Sequence, residues 1–435
     1  MVDFGRSNDT RVQAQLDRLS QLSVPQGRFG LETITAMMGC LGNPHRKLPP
    51  VFHVAGTNGK GSVCAFLRAI LEADGKRVHV TTSPHLVRYN ERIRLAGELI
   101  SDAALAALLE EVLDATADLG PSFFEVTIAA AFLIFSREPA DACVVEVGLG
   151  GRFDATNVLE PASVAASGIA ALGLDHERFL LAPEVGTPHK PMARIAFEKA
   201  GIAKRGVPIV ALDQVPEATQ QIIIRAESVD TTIALCGHDW SNKITAAQTA
   251  GAHIYRDEGG TLNLPMPCLE GQHQIRNAGL AIAMLRHQDE IEIGDSTIAE
   301  GLTKAVWPGR LQRLTHGPLS GKREVWIDGG HNSSAGKALA RFWAERPMHL
   351  IIGMLANKNP KAIISPLAPW SASVTVVPVP EHDSHPTQAF GANAGFAPDL
   401  PGALADLPHD GRPVLIAGSL YLVGEALRLN DEAPN

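Results

Sequence analysis

The sequence predicts a two-domain α/β protein, a doubly wound N-terminal domain followed by a smaller Rossmann-like one. Three observations carry this expectation. The chain has 435 residues, too many for one ordinary domain. Short β-branched runs alternate with helical periodicity through most of its length. A glycine-rich loop joins the first clear strand to the helix after it.

Val51–Ala55 reads as that strand, and Val63, Phe66, Leu67, Ile70 and Leu71 then recur at helical spacing. Gly75 lies where this helix would stop. Val78–Thr82 is the next predicted strand. Ala142–Val147, Val164–Ala171 and Pro208–Leu212 are nearly continuous apolar runs, the pattern of parallel strands covered on both faces. A second series begins near Trp307. Glu324–Asp328, Met348–Ile352, Val374–Val379 and Pro413–Ala417 are its expected strands, and Ser333–Glu345 and Tyr421–Leu429 its expected helices. That suffices for a Rossmann-like domain of about 130 residues. The expected domains are therefore residues 1–299 and 300–435. Leu181–Pro191 contains Pro183, Gly186, Pro188 and Pro191 and reads as an exposed loop.

Composition excludes several classes. Apolar residues make up 45% of the chain and charged residues 20%, which is ordinary for a globular protein. Lys plus Arg is 38 and Asp plus Glu is 47, a net charge of −9, so general nucleic-acid binding is not expected. No apolar run is long enough to span a membrane; Val126–Phe135, broken only by Thr127, is about half the needed length. The stretch Met1–Thr10 carries Asp3, Arg6 and Asp9 and no apolar core, so it is not expected to be a signal peptide. Five scattered cysteines without a CxxC pair argue against a disulfide framework or a cysteine zinc site, and point to a reducing cytoplasm.

The strongest local signal is Gly56-Thr57-Asn58-Gly59-Lys60-Gly61-Ser62 between predicted strand and helix. Glycines let backbone N–H groups approach phosphate oxygens, the helix start adds partial positive charge, and Lys60 adds a full one. The spacing is not the common GxxxxGK[ST] form, and a tight turn with a surface lysine is the plainer alternative. Ser83, at the C-terminal end of the second strand, offers a hydroxyl to Mg²⁺, although Ser-Pro is most often only a turn. Glu146 ends a buried run before Gly148-Leu149-Gly150-Gly151; its carboxylate needs a cation or donors there, either Mg²⁺ or the backbone of the glycine loop. His176 follows another apolar run at the same predicted sheet edge. Lys199 falls on a predicted helix, and spacing alone reads it as solvated. Asp328 and His331 mark the junction of strand and helix in the second domain, where Asp328 alone could cap the helix. Arg310 lies in Trp307-Pro308-Gly309-Arg310 at the predicted hinge, where it could reach an anion or form a surface ion pair.

Taken together, the chain resembles the folylpolyglutamate synthase/dihydrofolate synthase family, a branch of the Mur-type ATP-dependent amide ligases. The resemblance rests on His53–Ser62, Ser83–Arg92, Phe124-Glu125 with Thr127, Glu146–Asn157, Gly173–His176, Phe197–Ile202, Gly271–Gln274 with Asn277-Ala278, Trp307–Arg310, Asp328–Asn332 and Gly353–Leu355. These segments run in family order across nearly the whole chain.

The resemblance implies a P-loop ATPase-like first domain and a set of roles. Gly56, Thr57, Asn58, Gly59, Lys60, Gly61 and Ser62 would hold ATP phosphates, and Asn277, Arg310 and Asp328 would complete the ATP site. Ser83 and Glu146 would bind one Mg²⁺ and His176 a second, two sites in all. Lys199 aligns with the family's carbamylated lysine. Ser122, Phe124, Glu125, Phe153, Asp154 and Ala155 would line the pterin pocket, and His331 would lie near glutamate and phosphate. Lys60, Lys199 and His331 are thus the expected catalytic groups. The implied reaction joins L-glutamate to dihydropteroate, and to tetrahydrofolate and other reduced folates, through an acyl phosphate. The chain would act as a monomer on small molecules alone, with no nucleic-acid or membrane partner. Three other readings remain open: extension of reduced folates only, ligation of a cell-wall precursor, and an ATP-binding regulatory module without chemistry. The chain departs from the family in three places. It is longer between His176 and Lys199, in the Leu181–Pro191 loop. It reads Gly330-His331-Asn332-Ser333 where an AHNP-like motif is usual. It has Phe153 where leucine is usual.

Overall fold

The structure is a computed structural model, and it describes residues 5–22, 30–244 and 251–435. Residues 1–4 of the stretch weighed as a signal peptide therefore lie outside the described residues. The chain forms two compact units, the first comprising Met1–His85, Tyr89–Cys268 and Gln274–Val306, the second Leu86–Arg88, Leu269–His273 and Trp307–Asn435. Residue 300 falls inside the helix Asp295–Lys304 of the first unit.

The first unit is built on eight strands: β1 (Val51–Ala55), β2 (Val78–Thr81), β3 (Ile93–Leu95), β4 (Glu98–Leu99), β5 (Ala142–Glu146), β6 (Val164–Ile169), β7 (Ile209–Ala211) and β8 (Ile233–Leu235). Their order is β4-β3-β2-β5-β1-β6-β7-β8. The six strands from β2 to β8 in that order pair in parallel, and β3 and β4 add an antiparallel edge. Every residue of β1, β2, β5 and β6 is buried, as continuous apolar runs require when both sheet faces are covered. The helix Lys60–Ala73 leads from β1 to β2, and its Val63, Phe66, Leu67, Ile70 and Leu71 are fully buried. Asp74 caps it and Gly75 follows at φ +76°, a conformation that suits glycine at a helix end.

The apolar run Val126–Phe135 lies in the helix Phe123–Phe135. It is apolar on all sides because it packs in one core with residues of three other helices, Thr10–Ser20, Glu32–Cys40 and Asp102–Ala115. Among the described residues no helix is long and apolar enough to cross a membrane.

A second sheet of this unit was not anticipated. β9 (Ser241–Lys243), β10 (Ala252–Asp257) and β11 (Gly260–Pro265) pair antiparallel in the order β11-β10-β9. His253 and Tyr255 are buried on β10 while Arg256 is exposed, and Trp240 stacks on Tyr255.

The second unit holds β12 (Gln312–Arg313), β13 (Val325–Asp328), β14 (Met348–Ile352), β15 (Ser371–Val376), β16 (Gly395–Phe396) and β17 (Val414–Ala417), in the order β12-β13-β17-β14-β15-β16. Only β12 runs antiparallel. Each face has its own apolar cluster. One includes Leu422, Val423 and Leu427 from the last helix; the other includes Leu339, Trp343, Ile363 and Leu367. This is the doubly wound arrangement expected. β15 begins earlier than the apolar pattern suggested, because the polar Ser371 and Ser373 pair along β14, where Ser373 Oγ lies 2.7 Å from His349 Nδ1.

Candidate functional site

In the first unit the site residues gather at the C-terminal ends of adjacent parallel strands. The loop Gly56–Gly59 leaves β1, Ser83 follows β2, Glu146 ends β5, and Gly173–His176 lies beyond β6. Gly56 has φ +154° and packs so close to Ala170 that a Cβ would sit 2.7 Å from the Ala170 Cβ. The loop is tied to the segment after β6. Thr57 and Asn58 N–H groups donate to the Ala171 carbonyl at 2.9 and 3.1 Å, and Thr57 Oγ1 donates to the Gly173 carbonyl at 3.0 Å.

Gly59 is the N-cap of the helix Lys60–Ala73, at φ +90°, and no side chain caps that helix start. Its first-turn N–H groups, from Lys60, Gly61 and Ser62, are thus placed to serve an anion. Gly59 also makes room for Asn277, since a Cβ would lie 2.5 Å from Asn277 Oδ1. Asn277 is buried on the helix His273–Arg286 and is held by donating its Nδ2–H to Gln274 Oε1 at 2.9 Å.

Glu146 is 4% exposed, and its two oxygens face different partners. One accepts the Ser83 N–H at 3.1 Å; the other lies 3.8 Å from Lys60 Nζ. In the glycine loop, the Leu149 N–H donates to Asp154 Oδ2 at 2.8 Å. Asp154 is itself buried, accepts from Thr156 Oγ1 and Thr156 N, and has its carboxyl pKa raised chiefly by burial.

Lys199 is not solvated as its spacing suggested. It is 5% exposed on the helix Pro191–Ala200. Burial, aided by the charge of Lys60, pushes its ammonium down to about 7, against the opposite pull of Asp175, Asp154 and Glu198. The glycine turn explains the burial: a Cβ on Gly151 would lie 2.8 Å from the Glu198 and Lys199 carbonyl oxygens. His176 sits at φ +52° at the start of the short helix Glu177–Leu180, its N–H on Asp175 Oδ1 at 2.8 Å.

Ser122 and Glu125 form a reciprocal cap on the helix Phe123–Phe135. Ser122 Oγ accepts the Glu125 N–H at 3.3 Å, and Glu125 Oε2 accepts the Ser122 N–H at 2.8 Å. The Ser-Phe-Phe-Glu spacing at residues 122–125 is the sequence signature of such a cap. The Phe124 ring lies directly over Gly148. Ala155 is buried at the start of the turn Ala155–Val158. Phe153 is part-exposed, with the Arg152 guanidinium 4.0 Å from its ring centroid.

In the second unit, Asp328 ends β13 and is gripped by backbone: the Leu311 N–H donates to Oδ2 at 2.9 Å and the Gly330 N–H to Oδ1 at 2.7 Å. It does not cap the following helix. Asn332 does, accepting the Ala335 N–H at 3.1 Å. The Arg310 guanidinium lies so close to Gly329 that a Cβ there would meet Nη1 at 2.7 Å. His331 Nδ1 is 3.1 Å from the Gly329 carbonyl. His273, to which the sequence assigned no role, lies in the field of both Asp328 and Arg310; its imidazole pKa is lowered chiefly by burial.

The donors in the first unit suit Mg²⁺, a hard cation that takes oxygen ligands and usually completes its shell with water and substrate phosphate. A buried carboxylate oxygen facing Lys60 and the adjacent Ser83 fit that preference. Among the described residues no three His, Cys, Asp or Glu side chains lie close enough to hold a metal ion by themselves.

A glycine loop with its lysine, set against a buried carboxylate at the open edge of a parallel sheet, defines a phosphate-loop α/β protein. No protein-family model matches the chain. Among curated proteins, the dihydrofolate synthetase of Saccharomyces cerevisiae is 31% identical over 436 residues, covering 93% of this chain and 98% of that protein. The dihydrofolate synthase/folylpolyglutamate synthase of Bacillus subtilis is 33% identical over 427 residues, covering 91% of this chain and 94% of its own. Among solved structures, Escherichia coli FolC in complex with DHPP and ADP superimposes with a TM-score of 0.84 at 28% identity, covering 98% of this chain and 99% of that one. The chain belongs to the folylpolyglutamate synthase/dihydrofolate synthase family.

Proposed function

We propose that the protein is an ATP-dependent ligase that forms an amide between L-glutamate and a folate-type carboxylate. It makes dihydrofolate from dihydropteroate and polyglutamates from tetrahydrofolate. The observation that carries this reading is the Lys60–Glu146 pair at the head of the phosphate loop, in a chain of this family.

A carboxylate is a poor acylating group. ATP converts it to an acyl phosphate, the glutamate amine attacks that carbonyl carbon, and phosphate leaves. The enzyme must hold two anions and an amine together and neutralise charge. The N–H groups of Gly59–Ser62 take the phosphates, and Lys60 screens their charge. Ser83 and Glu146 would hold one Mg²⁺ and His176 a second, the ions supplying Lewis-acid charge neutralisation when bound. Lys199 supports the carbamylation reading, because a buried lysine with a depressed pKa offers the neutral amine that captures CO₂. Asp154 and Ala155, with Ser122, Phe124, Glu125 and Phe153, are assigned to the pterin-bearing acceptor. Asn277, Arg310 and Asp328 are assigned to ATP, and His331 to glutamate and the transferred phosphate. We further propose that the protein works as a monomer in the cytoplasm, in keeping with its five free cysteines.

The test is phosphate release from Mg·ATP with L-glutamate, using 7,8-dihydropteroate and a tetrahydrofolate as separate acceptors and mass spectrometry of the products. Turnover with both is expected. Turnover with tetrahydrofolate alone would leave only the polyglutamylating activity, and turnover with neither would overturn the reading.

A further inference from the structure

The Leu181–Pro191 insertion, expected as a plain exposed loop, is fastened to the glycine turn and to the helix that carries Lys199. Leu180, just before it, packs on Gly150, where a Cβ would lie 3.1 Å from Leu180 Cδ2, and the Leu180 carbonyl accepts from Arg194 Nε at 3.1 Å. The hydroxyl of Thr187 donates to the Glu184 carbonyl at 2.7 Å and shapes the turn. Val185 at the tip is fully exposed, yet its neighbour Glu184 points inward, its side chain 18% exposed.

Glu184 completes a four-membered ionic cluster. Arg152 donates to it twice, Nη1 to Oε1 at 3.2 Å and Nη2 to Oε2 at 2.5 Å. Arg152 also donates twice to Glu198, Nε to Oε2 at 3.1 Å and Nη2 to Oε1 at 2.8 Å. Arg194 bridges the two carboxylates at 3.0 and 2.8 Å. Two guanidinium and two carboxylate groups balance. So held, the Arg152 guanidinium lies over the Phe153 ring, 4.0 Å from its centroid. Arginine's planar fork allows such stacking while both edges remain hydrogen-bonded.

Two features therefore meet at the Arg152 side chain: the loop that carries Glu184, and the aromatic ring of Phe153. We propose that Glu184 is a positioning residue for acceptor binding: by fixing Arg152 on Phe153, it presents that ring as a rigid platform for a flat, nitrogen-rich aromatic group of the pterin class. This rests on the proposed function. Without Glu184, Arg152 loses two of its four carboxylate bonds, the cluster gains a net positive charge, and the ring loses its fixed backing.

The test uses the full-length enzyme with Glu184→Gln, Glu184→Ala, Phe153→Leu and the Phe153→Leu/Glu184→Ala double variant. The expected result is a rise of about fivefold in KM for 7,8-dihydropteroate in both Glu184 variants, the size of a part-exposed charge-assisted contact. The kcat and the KM for ATP stay within about twofold of wild type. In the Phe153→Leu background, Glu184→Ala adds no further rise, because the ring it acts through is gone. An unchanged acceptor KM overturns the proposal. So does a fall in Tm accompanied by equal rises in KM for every substrate, or an undiminished effect of Glu184→Ala without Phe153. Wild-type enzyme inactive on both acceptors would instead sink the proposed function, and this inference with it.

Discussion

Gly59→Ala tests the phosphate loop at its tightest point. Gly59 sits at φ +90°, where an L side chain costs about 1–2 kcal/mol. The new Cβ would also lie 2.5 Å from Asn277 Oδ1. Asn277 cannot simply swing away, because it is buried and bonded to Gln274. Overpacking of this kind adds about 1–3 kcal/mol, so the loop must absorb about 2–5 kcal/mol in strain or displacement. Displacement would appear as lost ATP affinity, about tenfold for each 1.4 kcal/mol. Calorimetric titration with Mg·ATP and urea denaturation measure the two parts. A double-mutant cycle with Asn277→Ala separates the steric share: removing that side chain should restore about 1–3 kcal/mol of stability in the Gly59→Ala background. ATP affinity within twofold of wild type, together with a stability loss below about 0.5 kcal/mol, would refute the account of Gly59.

Lys60→Ala should reduce ATP-dependent turnover by at least about a hundredfold with the fold intact by circular dichroism, the usual scale for removing one preorganised charge; near-normal kcat would contradict its role. Glu146→Gln, which leaves Lys60 without its counter-charge, should raise the Mg²⁺ concentration for half-maximal activity, read from a metal titration of phosphate release after EDTA treatment; an unchanged titration would remove Glu146 as a ligand. Burial holds the His53 imidazole at about 3 against 6.5 in an unfolded chain, so the neutral form is favoured in the fold. Its stabilising contribution is complete above pH 6.5 and declines as pH falls toward 3, by up to about 5 kcal/mol. A His53→Gln variant should show a flatter acid limb in Tm against pH, and an identical limb would show that His53 is not the group titrating. Intact-protein mass spectrometry in bicarbonate should show one added CO₂ that is absent in Lys199→Arg; adduct in both would place the modification elsewhere.

The parallel core was legible because burial on both faces leaves little but apolar residues, as in Val51–Ala55 and Ala142–Val147. β9–β11 escaped because a sheet covered on one face mixes polar and apolar residues. His253 and Tyr255 point inward beside Arg256, and such a short alternation is easily lost. The phosphate loop could be read from its glycines and its position between strand and helix. The burial of Lys199 could not, since it depends on how closely its helix approaches Gly151, a contact across distant parts of the chain. Asp328 looked like a helix cap by position, but local hydrogen bonding gave that work to Asn332 four residues later. His273 left no local signal; its relation to Arg310 and Asp328 exists only in the folded chain.

The turn Gly148–Gly151 has a consequence for how such a site can change. Phe124 presses on its first residue, Leu180 on its third, and the backbone at Lys199 on its last. Side chains are missing from those three places because segments from three distant stretches of sequence occupy the space. A larger residue at any of them would push on a different part of the chemistry: the aromatic residue assigned to the acceptor, the root of the insertion, or the buried lysine. On the proposed assignment of the acceptor site, transferring it to a relative requires moving residues 122–125, 148–155 and 176–199 as one set, since any one segment transplanted alone would meet neighbours shaped for another.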